Sequence, residues 1–299
     1  MKTVLGWRMY ALMLLGAVLL LGVTRVFVMP EIDSSVTPTI GASIGQILDS
    51  LIGVTAGALI VSGLIYWLVP GNRSAVEDTV LVAPTSISNE LRNSAITATT
   101  WTYRGHTGRY FRTTILPILA EAANKHGRYI DINLQILDPD DPSIIAFFSE
   151  YRASVNRDRA DYWTPDKARA EVAATVIALA VAATNSSRLA CNLYLTRLVS
   201  PFTIDLCDTQ AIVTRESAKH DAIKYPAGSS FYDSVCEDLH LSARLARRVS
   251  ISRSAIKVVG KRDDVTTVLD ELNVVTKDRN KVVSHVLTAL RNPVSPYGH

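Results

Sequence analysis

Apolar residues are spread unevenly along the chain. Two long runs, Met9–Met29 and Ser50–Val69, fall in the first quarter, and beyond them apolar and polar positions alternate with the short periods of a folded domain. The second run carries no charge and is long enough to cross a hydrocarbon layer of about 30 Å at about 1.5 Å per residue. Tyr66 and Trp67 fall at headgroup level, and Pro70-Gly71-Asn72 stops the helix. The first run is interrupted by Arg25, near enough to its end to reach the interface. The pattern predicts a transmembrane helical hairpin over 1–70. Lys2 and Arg8 precede the first run, Arg73 follows the second, and Glu31 and Asp33 lie between, which places both termini and the following domain in the cytoplasm. A signal peptide is the rival reading of the first run, but no small-x-small cleavage site follows it. Gly53 and Gly57, with Ser50 and Gly63 near the same stripe, would let helices of one chain or of neighbouring chains approach closely. Gln46 and Asp49 fall at the outer interface, as solvated groups or, in the sharper reading, as pore-lining or oligomer-bridging ones.

After a linker over Gly71–Asn93, the periods alternate. Ala95–Tyr103 reads as a strand, and Arg109–Lys125 as a helix with Phe111, Ile115, Leu116, Leu119 and Ala122 on one side. Ile130, Ile132, Leu134 and Ile136 alternate with polar residues as in a strand. That strand ends in the turn Asp138-Pro-Asp-Asp-Pro142, which caps a helix over Ser143–Arg152. Asp166–Ala183 is apolar but rich in alanine, and Lys167, Arg169 and Glu171 crowd its start, so it reads as a helix buried in the domain and not as a third span. Leu189–Leu195, Phe202–Cys207 and Gln210–Thr214 are strand-like, with Asp208-Thr209 as a tight hairpin turn. The fold class is α/β, a domain over 94–248 with a mixed sheet. A basic tail over 249–299 holds two helices, near Asp264–Leu272 and Asp278–Leu290.

Net charge is +3 and 20% of residues are charged, a balance that by itself points neither toward nor away from nucleic acid. Arg244, Arg247, Arg248, Arg253, Lys257, Lys261 and Arg262 cluster without interleaved aromatic residues, which disfavours nucleic acid and suits an anionic leaflet. Cys191, Cys207 and Cys236 are odd in number and fit no zinc or redox spacing, as in a reducing compartment.

The candidate chemistry centres on Trp101–Arg112, which runs from a strand into a helix. Amides at a helix N-terminus attract anions, Gly105 and Gly108 permit close approach, and Arg104, Arg109 and Arg112, with Thr107 in the same loop, supply donors. Neither a Walker A loop nor a GxGxxG fingerprint is present. Beyond the carboxyl ends of parallel strands, Asp138, Arg197 and Ser200 would face the same crevice. His106 has no partner at catalytic spacing and reads as a surface loop histidine. Asp138, Asp140 and Asp141 lack the glycine and distal glutamate of a calcium loop and read as a turn and cap.

Trp101–Arg112, the strand into Leu137-Asp-Pro139, Ser200–Asp208 and Tyr225–Tyr232 together resemble a single phospholipase-D-like half-domain of the degenerate kind attached to bacterial regulatory and effector proteins, over about Asn93–Arg248. Active members carry His-x-Lys-x4-Asp. With Asp208 at the Asp position, the His and Lys positions fall on Pro201 and Thr203, which supply neither nucleophile nor charge. Gly228 and Ser229 stand where the family has its later Gly-Ser. The resemblance implies a non-catalytic domain that keeps phosphate-ligand binding and pairs into homo-oligomers. The expectation is a two-span protein of the bacterial inner membrane, holding no metal or cofactor. It would sense a nucleotide or other anionic ligand and signal to its hairpin, as in stress or antiviral defence. A membrane-bound phosphodiesterase or nucleotide hydrolase using Asp138, His106 and the arginines is one alternative, and a non-catalytic docking anchor is another.

Overall fold

The computed structural model describes residues 16, 18–28, 38–68, 79–155, 163–215, 220–251, 258–275 and 279–291. The chain divides into two compact units, Met1–Ala75 and Val76–His299.

In the first unit, residues 18–28 are helical and end in a π-helical turn, Thr24–Val28. The rest of the first apolar run, the flanking charges Lys2, Arg8, Glu31 and Asp33, and the Pro70-Gly71-Asn72 stop lie outside the described residues. Helix α1, Pro38–Leu68, spans 31 residues and opens on a proline, which is tolerated in a first turn because its missing N–H has no intrahelical partner there. It begins well before Ser50, so Gln46 and Asp49 are helical, and both are exposed. The described apolar part of α1 is Gly45–Val61. Val54 and Ile60 expose 71% and 65% of their surface, more than a helix in a packed core would leave open. A two-span hairpin is not seen among the described residues.

The second unit is an eight-stranded mixed sheet with helices on both faces. Strands β1 (Val80–Val82), β2 (Thr100–Arg104), β3 (Ile130–Leu137), β4 (Leu189–Thr196), β5 (Phe202–Cys207), β6 (Gln210–Arg215), β7 (Ala222–Pro226) and β8 (Arg247–Ser250) stand in the order β1-β7-β6-β5-β2-β3-β4-β8. β2, β3 and β4 are parallel; every other pairing is antiparallel. Asp208 and Thr209 turn β5 into β6 as the sequence predicts.

Three expectations are corrected. Residues 80–93 are not linker: β1 pairs with β7, and Pro84–Thr97 forms helix α2, which buries Ile87, Leu91, Ser94 and Ala95 at helical spacing. The predicted strand over Ala95–Tyr103 therefore starts only at Thr100, because Ala95 belongs to the buried stripe of α2. The residues after 248 are not a separate tail. β8 pairs with β4, and helices α7 (Arg262–Glu271) and α8 (Arg279–Arg291) place Val265, Val268, Leu269, Val282, Val283 and Val286 in the main core.

The remaining helices are α3 (Leu116–Lys125), entered through a π-helical turn at Phe111–Ile115, α4 (Pro142–Val155), α5 (Pro165–Asn185) and α6 (Ser230–Leu245). α5 has the length and apolarity for a membrane crossing, yet 72% of its apolar window is buried inside the unit. Its neighbours explain the burial: β4 lies along one side, while α4, α7 and α8 pack on the others. The other face of the sheet carries α6, whose Leu239 packs with Ile204, Leu206 and Ala211 in a second, smaller core.

Candidate functional site

β2 alternates its side chains, and that alternation decides where the arginines go. Trp101 and Tyr103 point into the main core with Phe111. Arg104 therefore points to the face that carries α6, where its Nη2 meets Asp238 Oδ2 at 2.6 Å. Arg104 is buried, whereas the side chain of Asp238 is 57% exposed. Arg104 Nε is buried without an acceptor among the described residues. Beside it on β3, buried Gln135 donates to Leu239 O at 2.8 Å and accepts from Ser242 Oγ, which ties α6 to the parallel strands.

Arg109 and Arg112 lie at the start of the next helix and turn instead toward α5. Arg112 donates to Glu171 Oε2 at 2.6 Å, to Glu171 O at 2.9 Å and to Thr175 Oγ1 at 3.2 Å, and Arg109 Nε stands 4.0 Å from Glu171 Oε1. Arg112 and Glu171 are both buried, so this carboxylate and the Nη donors of Arg112 are paired inside the domain. Arg104 and Arg112 thus lie on opposite sides of the sheet, and the three arginines do not converge.

The loop between them is buried at Gly105, His106, Thr107 and Gly108. Thr107 O accepts from Thr175 Oγ1 at 2.7 Å. Gly108 has φ +66°, and a Cβ there would lie 2.8 Å from Thr175 Cγ2. Gly108 serves the close approach of loop to α5, where Gly105 and Gly108 were expected to admit a phosphate.

His106 is not a surface histidine. It is 3% exposed, its ring lies 4.7 Å from that of Phe148, and Nε2 accepts from the Ser200 amide at 3.3 Å. Burial, and then the nearby Arg152 charge, lower its pKa to about 4, against the raising effect of the Ser200 bond. The ring is neutral at physiological pH and its Nε2 is already engaged, so it is poorly placed for proton transfer.

Asp138 ends β3 as predicted but is closed off by an arginine the sequence reading assigned to headgroups. Arg247 donates to both Asp138 oxygens, at 3.0 and 2.7 Å, and to Asp140 Oδ2 at 3.0 Å. The Asp138 bond is the chief reason that Arg247 holds its proton more tightly than usual. Asp140 Oδ2 also accepts from the Val275 amide at 3.2 Å, and Arg247 Nη1 donates to Asn273 O at 3.4 Å, which draws in the turn after α7. Arg197 is 80% exposed and pairs with Asp141 at 2.8 Å. Asp141 caps α4 through Ser143, whose hydroxyl bond is the main cause of its lowered pKa. Ser200 Oγ accepts from the Phe202 amide.

Gly228 and Ser229 are elsewhere. Ala227 donates to Thr209 O, and Asp208 accepts from Thr99 N and Oγ1, so this turn lies at the opposite end of β2 from Arg104. Gly228 takes φ +85°, and Ser229 Oγ caps α6 by accepting from Tyr232 N. Both are explained by starting a helix after a turn. Pro201 and Thr203 lie at the Arg104 end; Thr203 O accepts from Thr214 Oγ1. Among the described residues no group of three or more His, Cys, Asp or Glu side chains could hold a metal ion. The three cysteines are free.

The sequence reading did not place Asp238, Glu171 and Arg247 as the partners of Arg104, Arg112 and Asp138. Each lies far along the chain from the group it binds, and no local pattern marks it.

No family model and no curated protein matches this chain. Among solved structures, it is similar to TrmBL2, an archaeal chromatin protein whose structure is described as showing a novel mode of DNA binding. The identity is 10%, 71% of each chain is covered and the TM-score is 0.32. A likeness this slight carries no argument.

Proposed function

We propose that this chain is a non-catalytic membrane-anchored sensor, whose α/β unit takes up an anionic, phosphate-containing ligand at Arg104 in exchange for Asp238. The observation that carries this reading is the asymmetry of that pair. Arg104 is buried with one guanidinium nitrogen lacking an acceptor among the described residues, and its carboxylate partner is 57% exposed on α6. A phosphate offers several acceptor oxygens and can serve Nε and Nη2 together, whereas Asp238 serves one nitrogen within ion-pair distance. Exchange would release the turn of α6 that holds Asp238. A ligand that favours the released packing shifts the population toward it, and that shift is the signal. The output would be a change in how the N-terminal helices associate. The apolar, exposed surface of α1 supports the membrane part of the reading.

The test is calorimetry on the detergent-solubilised full chain, with ATP and pyrophosphate as probes. Asp238→Asn is expected to tighten binding at least tenfold, because the competing carboxylate is gone, and Arg104→Ala to abolish it. Equal affinity in both variants and the parent chain would remove the site.

The docking-anchor reading has an observation of its own. Arg109, Arg112 and Asp138 are engaged by partners within the domain, which leaves Arg104 as the member of the predicted cluster whose carboxylate partner is exposed. Absence of heat with both probes in the parent chain and in Asp238→Asn would favour it. Hydrolysis has no comparable support, since His106 is buried and neutral.

A further inference from the structure

We infer that Asp205 is a proton-binding site inside the sheet, and that its ionisation sets how firmly α2 is held on the strands beneath it. Asp205 lies in the middle of β5, in register with Tyr103 on β2 and Ile212 on β6, and Ile212 is in turn opposite Lys224 on β7. Directly opposed residues share a face, so this row lies on the side of the sheet that carries α2. α2 is fastened over the row at three points: Lys224 pairs with Glu90 at 3.2 Å, Gln210 donates to Ser94 at 2.6 Å, and the Tyr110 hydroxyl meets Ser88 at 3.0 Å.

Asp205 has little of what a carboxylate needs there. It is 4% exposed, and the hydrogen bond it accepts among the described residues comes from Trp101 Nε1 at 3.3 Å. The ionisable groups on the elements packed around it are Tyr103 on β2, Tyr110 before α3, Glu90 and Arg92 on α2, Cys207 on β5 itself and Lys224 on β7. Lys224 is committed to Glu90, and the Arg92 charge acts on Tyr110, whose hydroxyl is raised chiefly by burial and further by Asp205. Burial raises the Asp205 carboxyl to about 7, with the Trp101 bond acting against it. The neutral acid fits this site, and the anion is left with one long donor.

The sign follows directly. The folded chain holds the Asp205 proton up to about pH 7, whereas an opened chain releases it near the ordinary carboxyl value. Opening therefore becomes easier as pH rises, and levels off above 7. Since α2 covers the row, it is the element that must lift to bring water to the carboxylate.

The experiment is hydrogen exchange read by mass spectrometry on the full chain, following residues 84–97 at pH 5.5 and 8.5 and correcting for intrinsic exchange. In the parent chain, protection of α2 is expected to fall about thirtyfold between the two values, from the shift in proton affinity on opening. In Asp205→Asn the fall should be absent. Trp101→Phe, which removes the donor, should move the midpoint to higher pH and keeps the question open to test if the Asn variant does not fold. Equal α2 protection at both pH values in the parent chain, a fall that persists in Asp205→Asn, or a midpoint unmoved in Trp101→Phe would overturn the inference.

Discussion

His106 and Asp205 are both buried ionisable side chains, and they pull the stability of the domain in opposite directions over the same pH range. The folded value of His106 is lowered from 6.5 to about 4, so the unfolded chain binds its proton first and stability is lost as pH falls through that window. Asp205 is raised from 3.8 to about 7, so stability is gained as pH falls through nearly the same window. Each linkage amounts to roughly a few kcal/mol, and they largely cancel. Urea denaturation between pH 4 and 8 should therefore give a shallow profile for the parent chain. Asp205→Asn should expose a steep loss toward acid, and His106→Gln a loss toward neutral pH. Parallel profiles in all three proteins would contradict the assignment.

The same scale shows why the site was only partly legible. That Arg104 leaves the core face was readable in principle, since Trp101 and Tyr103 fix the alternation of β2. That Asp238 and Glu171 would claim the arginines separately was not, because such pairings exist only after α6 and α5 have packed on opposite faces.

Among elements, those with an unmistakable local period were legible. β3 alternates cleanly, β5 and β6 flank an Asp-Thr turn, and the alanine-rich composition of α5 marks it as a core helix. α2 was hidden because its residues, apart from Ile87, Leu91 and Ala95, are mostly small and polar, as in a linker. α6 and β8 were hidden for a related reason: α6 fully buries only Leu239, and β8 is four residues long. α7 and α8 were found, but what they pack against could not be read from their charged surfaces. The valines of both helices cover α5. Removing residues 258–299 is therefore expected to leave α5 with a large exposed apolar surface, and the product should aggregate or lose its cooperative melting transition by circular dichroism. A truncated chain that melts as sharply as the full one would show that these helices are dispensable.

Across the whole molecule, the first unit differs from the second in having no comparable core of its own among the described residues; α1 shows apolar side chains on several sides. If α1 crosses a bilayer, Val54→Arg puts a charge near mid-helix at a cost of roughly 3 kcal/mol. Membrane extraction at alkaline pH should then release a much larger fraction of that variant than of the parent chain. Release of both to the same extent would argue against a spanning α1.

The pairing of β1 with β7 carries a consequence for synthesis. The opening strand of the second unit has its partner near the other end of the sheet's sequence, so it must leave the ribosome and wait, at ordinary elongation rates, for roughly ten seconds or longer before Ala222–Pro226 emerges. During that interval the backbone of Val80–Val82 is unpaired and Val82, buried in the finished fold, is open to anything nearby. A nascent chain stalled before Ala222 leaves β1 without its partner strand, whereas one in which Ala222–Pro226 has emerged can pair it.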